Sequence, residues 1–248
     1  MNGMIPTMAA FHPRTERRLA AAGRVHDLLR SAIMHGEIPS GVLPAETDLM
    51  ESFSASRQVI RGALELLQRE GLVRRLQGTG TLVTSIRVTH DFDFLHGPEQ
   101  QVEHRMLSVS EEVAPPSVAR KLGLAPGETC GIVETVTILD DAPLHITTAY
   151  VLTSFLPQLS DFDPRGEWFA LYGRAGIELG TTEHTIEASV ADPFSASLLE
   201  VDPGHPLLVL ERLVYDAGDI PREYAFTRIR GDRLTLRQRH TRAAPAAD

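Results

Sequence analysis

Arg57 and Arg61 stand four positions apart in the run Ser56-Arg57-Gln58-Val59-Ile60-Arg61. Leu43-Pro44-Ala45-Glu46 precedes this run, and Gly71-Leu72-Val73-Arg74-Arg75 and Gly78-Thr79-Gly80-Thr81 follow it. No other feature limits the fold as much. A four-residue spacing puts both guanidiniums on one side of a helix. Val59, Ile60, Ala63, Leu64, Leu66 and Leu67 supply the buried side of that helix, with Ser56 at its N-cap and Gly71 at its end. Upstream, Leu19, Val25, Leu28, Leu29 and Ile33 recur at helical spacing over 17–35, and Gly36 is placed to stop that helix. The turn-rich stretch 38–44 leads to a short second helix that buries Leu49, Met50 and Phe53, and Ser54-Ala55-Ser56 turns into the third. Two strands, 72–76 and 81–85, then face each other across Gly78-Thr79-Gly80.

Two helices joined by a tight turn place the second in the DNA major groove. Arginine bonds bidentately to the acceptor edge of guanine, which is worth about 1–3 kcal/mol of discrimination. Ser56 and Gln58 can donate to phosphates or base edges. Gly78, Thr79 and Gly80 form a hairpin tip whose backbone can approach the minor groove, with Arg74 and Arg75 at its base for phosphates. Taken singly, the two arginines also suit a solvated helix face, and the glycine pair suits any hairpin. Their order along the chain is what makes the pattern specific. Gly62, inside the third helix, should cost that helix roughly 1 kcal/mol.

The charge distribution agrees. Residues 1–87 carry 11 arginines and 8 acidic residues, and residues 88–248 carry 13 basic and 25 acidic ones. The halves are therefore +3 and −12, against −9 for the whole. A mildly basic head on an acidic body suits a protein that reads nucleic acid with one end. A single cysteine, Cys130, excludes an internal disulfide, suits a reducing cytoplasm and reads as inert packing in a strand. No apolar run reaches the roughly 20 residues that span a bilayer. The histidines, among them His90, His96, His104, His145, His184 and His205, lack metal-ligand spacing, so neither a metal nor a cofactor is expected.

Beyond residue 90 the pattern alternates with a period of two over 131–139, 144–152, 181–190, 207–215, 223–230 and 234–238. Asp140-Asp141-Ala142-Pro143 and the stretch 216–221 read as hairpin turns, and short helices fit 116–122, 167–175 and 193–199. The expectation is an α+β domain on a largely antiparallel sheet. The two strand–turn–strand units look like counterparts, with no convincing repeat beyond that. The divisions expected are a disordered leader over 1–16, a DNA-binding domain over 17–86, a linker over 87–101, a ligand-binding and dimerisation domain over 102–241, and a disordered tail over 242–248.

On these motifs, residues 18–84 resemble the winged helix-turn-helix of the GntR family of bacterial transcription regulators. The resemblance rests on Leu43–Glu46, Ser56–Leu64, Gly71–Val73 and Gly78–Thr81. It gives Arg57, Gln58 and Arg61 the recognition-helix roles and Gln77 and Gly78 the wing roles. Thr47 and Thr79 stand where the family often carries a basic residue, which implies a shallower salt dependence of DNA binding.

Residues 102–240 resemble the UTRA ligand-binding domain of the HutC subfamily, which has a chorismate-lyase-like fold. The resemblance is carried by Pro206–Arg212, Pro221-Arg222-Glu223-Tyr224, Arg230-Gly231-Asp232-Arg233, Pro143-Leu144 and Leu171-Tyr172. Sugar-phosphate-sensing relatives carry two alternating arginines and a glutamate where Thr135, Thr137 and Thr147 stand here. Hydroxyls in their place imply an effector that is neutral or more apolar, not a phosphosugar. Glu223 matches a glutamate of the ligand site, and Thr227 and Ile229 share its strand face. Tyr150, Trp168 and Tyr172 are further candidates for the wall, and Asp232 reads as a turn residue.

The resemblance implies a cytoplasmic homodimer, on the nucleoid when bound. It would be a repressor that reads a short palindromic operator under control of a small molecule. An enzyme built on the chorismate-lyase-like domain and a ligand-independent architectural DNA binder stay open as alternatives. Residues 102–240 show no activated nucleophile, phosphate loop or metal cluster, so no enzyme is expected.

Overall fold

The computed structural model describes residues 13–76, 78–84, 88–91 and 102–237, and the chain divides into two units at Arg87/Val88. The first unit holds α1 (Pro13–Met34), α2 (Glu46–Ser52), α3 (Arg57–Arg69) and an antiparallel pair, β1 (Val73–Leu76) and β2 (Gly80–Val83). Ala22, Val25, Leu29 and Ile33 form one stripe of α1 and meet Ile60, Ala63, Leu64 and Leu67 of α3 in a single core. A Cβ on Gly62 would sit 3.2 Å from the Cβ of Ala22, so the glycine lets α1 lie close against α3. Leu19 and Leu28, expected on the buried face, are exposed. Between α2 and α3 the backbone turns at Ser54 with φ +46°, and Ala55 N–H donates to Met50 C=O at 3.0 Å, which closes the helix end. The expected connector is partly a strand. Val42 bridges Leu82, and Leu43 N–H donates to Thr81 C=O, giving the β1–β2 hairpin a third edge.

The second unit is built on six antiparallel strands: β4 (Val102–Val113), β5 (Thr129–Leu139), β6 (Ala142–Leu152), β7 (Leu179–Val190), β8 (Pro206–Asp216) and β9 (Pro221–Arg230). Their order across the sheet is β4-β5-β6-β9-β8-β7. The helices α4 (Pro116–Leu122) and α6 (Pro193–Leu199) cover one face. A 3₁₀ segment (Thr153–Asp161), the loop 162–169 and α5 (Ala170–Arg174) cover the other. The hairpin turns form as the sequence predicts. Asp140 and Asp141 take φ +49° and +58°, as a two-residue hairpin loop requires. Asp216 accepts from Gly218 N–H and Ile220 N–H to close the other turn. Cys130 is fully buried, and burial raises its thiol pKa.

Four features depart from the expectation. Residues 102–113 form a twelve-residue strand at the sheet edge. Its inward side chains, Val102, His104 and Met106, alternate with polar ones, and the charged content of an edge strand hides that period. Within the expected linker, β3 (Val88–Asp91) pairs in parallel with β10 (Leu234–Arg237). The helix expected over 167–175 covers only 170–174, because 167–169 turn to bring Trp168 and Phe169 to the sheet.

The fourth is a repeat. The order strand–helix–strand–strand occurs twice, as β4-α4-β5-β6 and β7-α6-β8-β9, with its first three elements offset by 77 positions. Val-Ala-x-Pro-x-x-Ala-x-x-Leu-x-x-x-Pro-Gly reads at both Val113–Gly127 and Val190–Gly204. Each helix starts on a proline, and each copy ends on a left-handed glycine, Gly127 at φ +89° and Gly204 at φ +86°.

Candidate functional site

In the first unit, Ser56, Arg57, Gln58 and Arg61 are all exposed, while Val59, Ile60, Ala63 and Leu64 of the same helix are buried. The helical period separates the core face of α3 from its polar face. Ser56 occupies the N-cap with extended backbone, and its hydroxyl makes no capping bond. Arg18 of α1 donates to Gln58 Oε1 at 3.1 Å. On the hairpin, Arg74, Arg75, Gly78, Thr79 and Gly80 are exposed, and Gly78 and Gly80 take φ +83° and +106°, which only glycine adopts readily. Gln77 lies outside the described residues. Arg75 is paired with Glu46 at the start of α2, so it ties the hairpin base to the helix pair. Thr47 donates to the neighbouring Asp48 carboxylate.

In the second unit, a cavity of about 200 Å³ lies between the sheet and the 162–169 loop. This is smaller than the roughly 300 Å³ at which drug-sized sites begin. Strand register sets its floor. Thr135, Thr147 and Thr227 are direct neighbours across β5, β6 and β9, and Thr147 and Thr227 share a hydrogen bond of 3.0 Å. In the next row, His104, Thr137, His145 and Ile229 align across β4, β5, β6 and β9. The Thr137 hydroxyl and His104 Nδ1 are 2.8 Å apart. Burial lowers the His104 pKa, so its ring is neutral at neutral pH. Leu144, Leu210 and Leu234 make the apolar end, and Phe162, Trp168 and Phe169 come from the loop. His104 N–H donates to Pro164 C=O at 2.7 Å and fastens that loop to β4.

Arg212 is the buried cation of the cavity wall, 7% exposed, with its guanidinium 5.0 Å from the centre of the Phe169 ring. Behind it, fully buried Glu223 pairs with that guanidinium. Glu223 also accepts from Trp168 Nε1–H at 2.5 Å and from the Tyr172 hydroxyl at 3.1 Å. Burial and the neighbouring Glu223 charge hold the Tyr172 phenol well above its ordinary pKa.

Of the residues singled out from the sequence, Thr135, Thr137, Thr147, Thr227 and Ile229 line the cavity, and so does Trp168. Three do not. Tyr150 points to the opposite face and packs under α4, because it is odd in register to Thr147 and Ala149. Tyr172 and Glu223 stand behind the wall. Arg212, His104 and His145 line the cavity and were not anticipated. The repeat is the signal that points to Arg212, since it occupies in β8 the position that Thr135 holds in β5. Asp232 is a turn residue, paired with Arg230 and His205. Among the described residues no three His, Cys, Asp or Glu side chains converge as a metal site, and no helix is long and apolar enough to cross a membrane.

Comparison with known proteins agrees with both units. Residues 21–83 match the model described as bacterial regulatory proteins, gntR family, and residues 99–235 match the UTRA domain. An uncharacterised HTH-type transcriptional regulator of Rhizobium meliloti is 30% identical over 237 residues, covering 90% of this chain and 96% of its own. The histidine utilization repressor of Pseudomonas aeruginosa is 29% identical, covering 76% of this chain and 79% of its own. The crystal structure of PhnF from Mycobacterium smegmatis superposes with a TM-score of 0.63 at 25% identity, covering 88% of this chain and 99% of that one. These relatives are regulators along most of their length, so the acidic second unit is the UTRA domain of a regulator and not an enzyme. The chain belongs to the gntR family of bacterial regulatory proteins and is a transcriptional regulator that joins a DNA-binding head to a UTRA domain.

Proposed function

We propose that the protein is a homodimeric repressor that reads a short palindromic operator and is released by a small neutral effector bound in the UTRA cavity. The observation that carries this reading is the cavity itself. It is a partly open cavity of about 200 Å³ whose floor and walls carry threonine hydroxyls, a neutral imidazole and aromatic rings, with exposed Arg165 and Glu167 on its loop side. Of the two arginines that line it, Arg165 is exposed on the loop and the buried Arg212 is already neutralised by Glu223, which supports an effector without a phosphate in the buried part of the cavity. Arg57, Gln58 and Arg61 with Ser56 would face base edges. Arg74, Gln77, Gly78, Thr79 and Gly80 would meet the backbone or minor groove, and Arg75 would do so in exchange with Glu46. One recognition helix reads one half-site, which favours a two-fold dimer acting in the cytoplasm. Repression follows the repressor relatives, including NagR of Bacillus subtilis, 24% identical over 222 residues.

A thermal-shift screen of metabolites, paired with gel shifts on the DNA upstream of the protein's own coding region, tests the reading. A neutral compound should raise the melting temperature and weaken the DNA complex at the same concentrations. Tight binding of a hexosamine phosphate would contradict the neutral-effector reading. A DNA complex indifferent to every stabilising compound would favour the architectural role.

A further inference from the structure

We propose that Glu223 is the positioning residue of the effector cavity: it sets the Trp168 roof and the Arg212 wall and makes no contact with the effector. This rests on reading the cavity as the effector site. A carboxylate offers about four lone-pair sites. In Glu223 all are engaged: Oε2 accepts from Trp168 Nε1–H and the Tyr172 hydroxyl, and Oε1 accepts from Nε and Nη2 of Arg212. It therefore has no acceptor left for a ligand, and as a fully buried side chain it has no route to one.

Burying a charge is costly, and an apolar pair of the same volume often stabilises a core as well. The gain here is position. The loop that carries Trp168 comes from outside the sheet, and the Glu223 bond anchors its indole to β9. Phe155 and Phe162 meet that indole edge-on at 6.0 and 6.4 Å and fix its plane. The same carboxylate turns Arg212 so that its face lies over Phe169. Effector recognition then falls to the threonine row of 135, 147 and 227, the roof ring and the guanidinium. That assignment favours an uncharged molecule rich in hydroxyl or carbonyl groups.

Trp168 is the only tryptophan in the chain, so intrinsic fluorescence reads this roof directly. Glu223→Gln keeps the volume, but the amide presents one oxygen and one donor group. It must therefore face either Arg212 or Trp168 with the wrong polarity. The full-length variant should show Trp168 emission shifted to longer wavelength and stronger acrylamide quenching than wild type. Asp232→Asn, which weakens the pairs with Arg230 and His205 in a turn outside the cavity lining, serves as the control for a merely structural loss. It should lower the melting temperature and leave both fluorescence readings unchanged. A Glu223→Gln protein with wild-type emission and quenching would overturn the proposal.

A second measurement needs no variant. The lone indole N–H of the wild-type protein should exchange slowly with solvent in NMR, and exchange as fast as that of free indole would also overturn the proposal. The metabolite thermal-shift screen separates the two readings. A neutral compound that raises the melting temperature and changes Trp168 emission in the wild type supports an effector cavity. No response to any compound would count against the effector site and would leave the Glu223 results standing on their own.

Discussion

Arg57 and Arg61 are exposed, and neither contributes to the core beneath α3, so replacing them tests recognition without disturbing the fold. Each bidentate arginine–guanine pair is worth about 1–3 kcal/mol, roughly five- to 150-fold in affinity. Arg57→Ala and Arg61→Ala should each remove sequence-specific operator binding in gel shifts while the melting temperature stays at the wild-type value. Operator affinity unchanged in both would move the reading surface elsewhere. These two positions were legible in the sequence because a spacing of four on a helix is a local property. Tyr150 was not legible in the same way. Its side of the sheet depends on strand parity, and only the register with β5 and β9 settles that it lies under α4.

At the scale of elements, α1 and α3 approach through Gly62 and Ala22. The glycine looks like a cost when α3 is read by itself, yet it sits at the contact that closes the core. Gly62→Leu should therefore destabilise the protein by about 1–3 kcal/mol through overpacking, measured as a lower urea midpoint. An unchanged midpoint would mean that the two helices part freely.

The turns of the second unit predict an acid dependence. Burial pushes the Asp232 carboxyl up, but hydrogen bonds from Arg230 and His205 more than offset this and hold it at about 2. Asp216 is also held below its ordinary value, first by the bond to the Ile220 backbone and then by Arg222. A carboxyl with a depressed folded pKa contributes stability that is complete above its unfolded value and lost as pH falls through the folded one. The melting temperature of the second unit should therefore fall between about pH 4 and pH 2, and Asp232→Asn should flatten that fall in calorimetry. An identical pH profile in the variant would remove Asp232 from the account. The Asp140-Asp141 and 216–221 turns were legible from their residues. The edge strand β4 was not, because it carries charges on its open side, and the β3–β10 pair was not, because a parallel pairing between chain segments so far apart leaves no local mark.

For the whole molecule, a charge of +3 on the first 87 residues and −12 on the rest means that DNA is drawn to the first unit and repelled by the second. With Thr47 and Thr79 at two places where the resemblance leads one to expect a cation, two fewer charges are available to displace counterions. Adding them back, as Thr47→Arg with Thr79→Lys, should steepen the slope of log K against log salt by about 0.9 for each new phosphate contact. Fluorescence anisotropy over a salt series measures this, and parallel slopes would show that neither position reaches the backbone.

The sequence by itself determined that this protein has a DNA-reading head and an antiparallel second unit. Those conclusions rest on helix spacing, caps and turn residues, all of which act within a few positions. Only the tertiary structure decided what the second unit holds. Trp168, Arg212 and Glu223 are separated by up to 55 residues, and strand order and one loop bring them to a single carboxylate. The 77-residue offset is written in the chain as the pattern shared by Val113–Gly127 and Val190–Gly204, but only the strand order shows that its two copies lie side by side in one sheet. Contacts over such separations depend on which strands are neighbours, and periodicity along a chain carries no record of that.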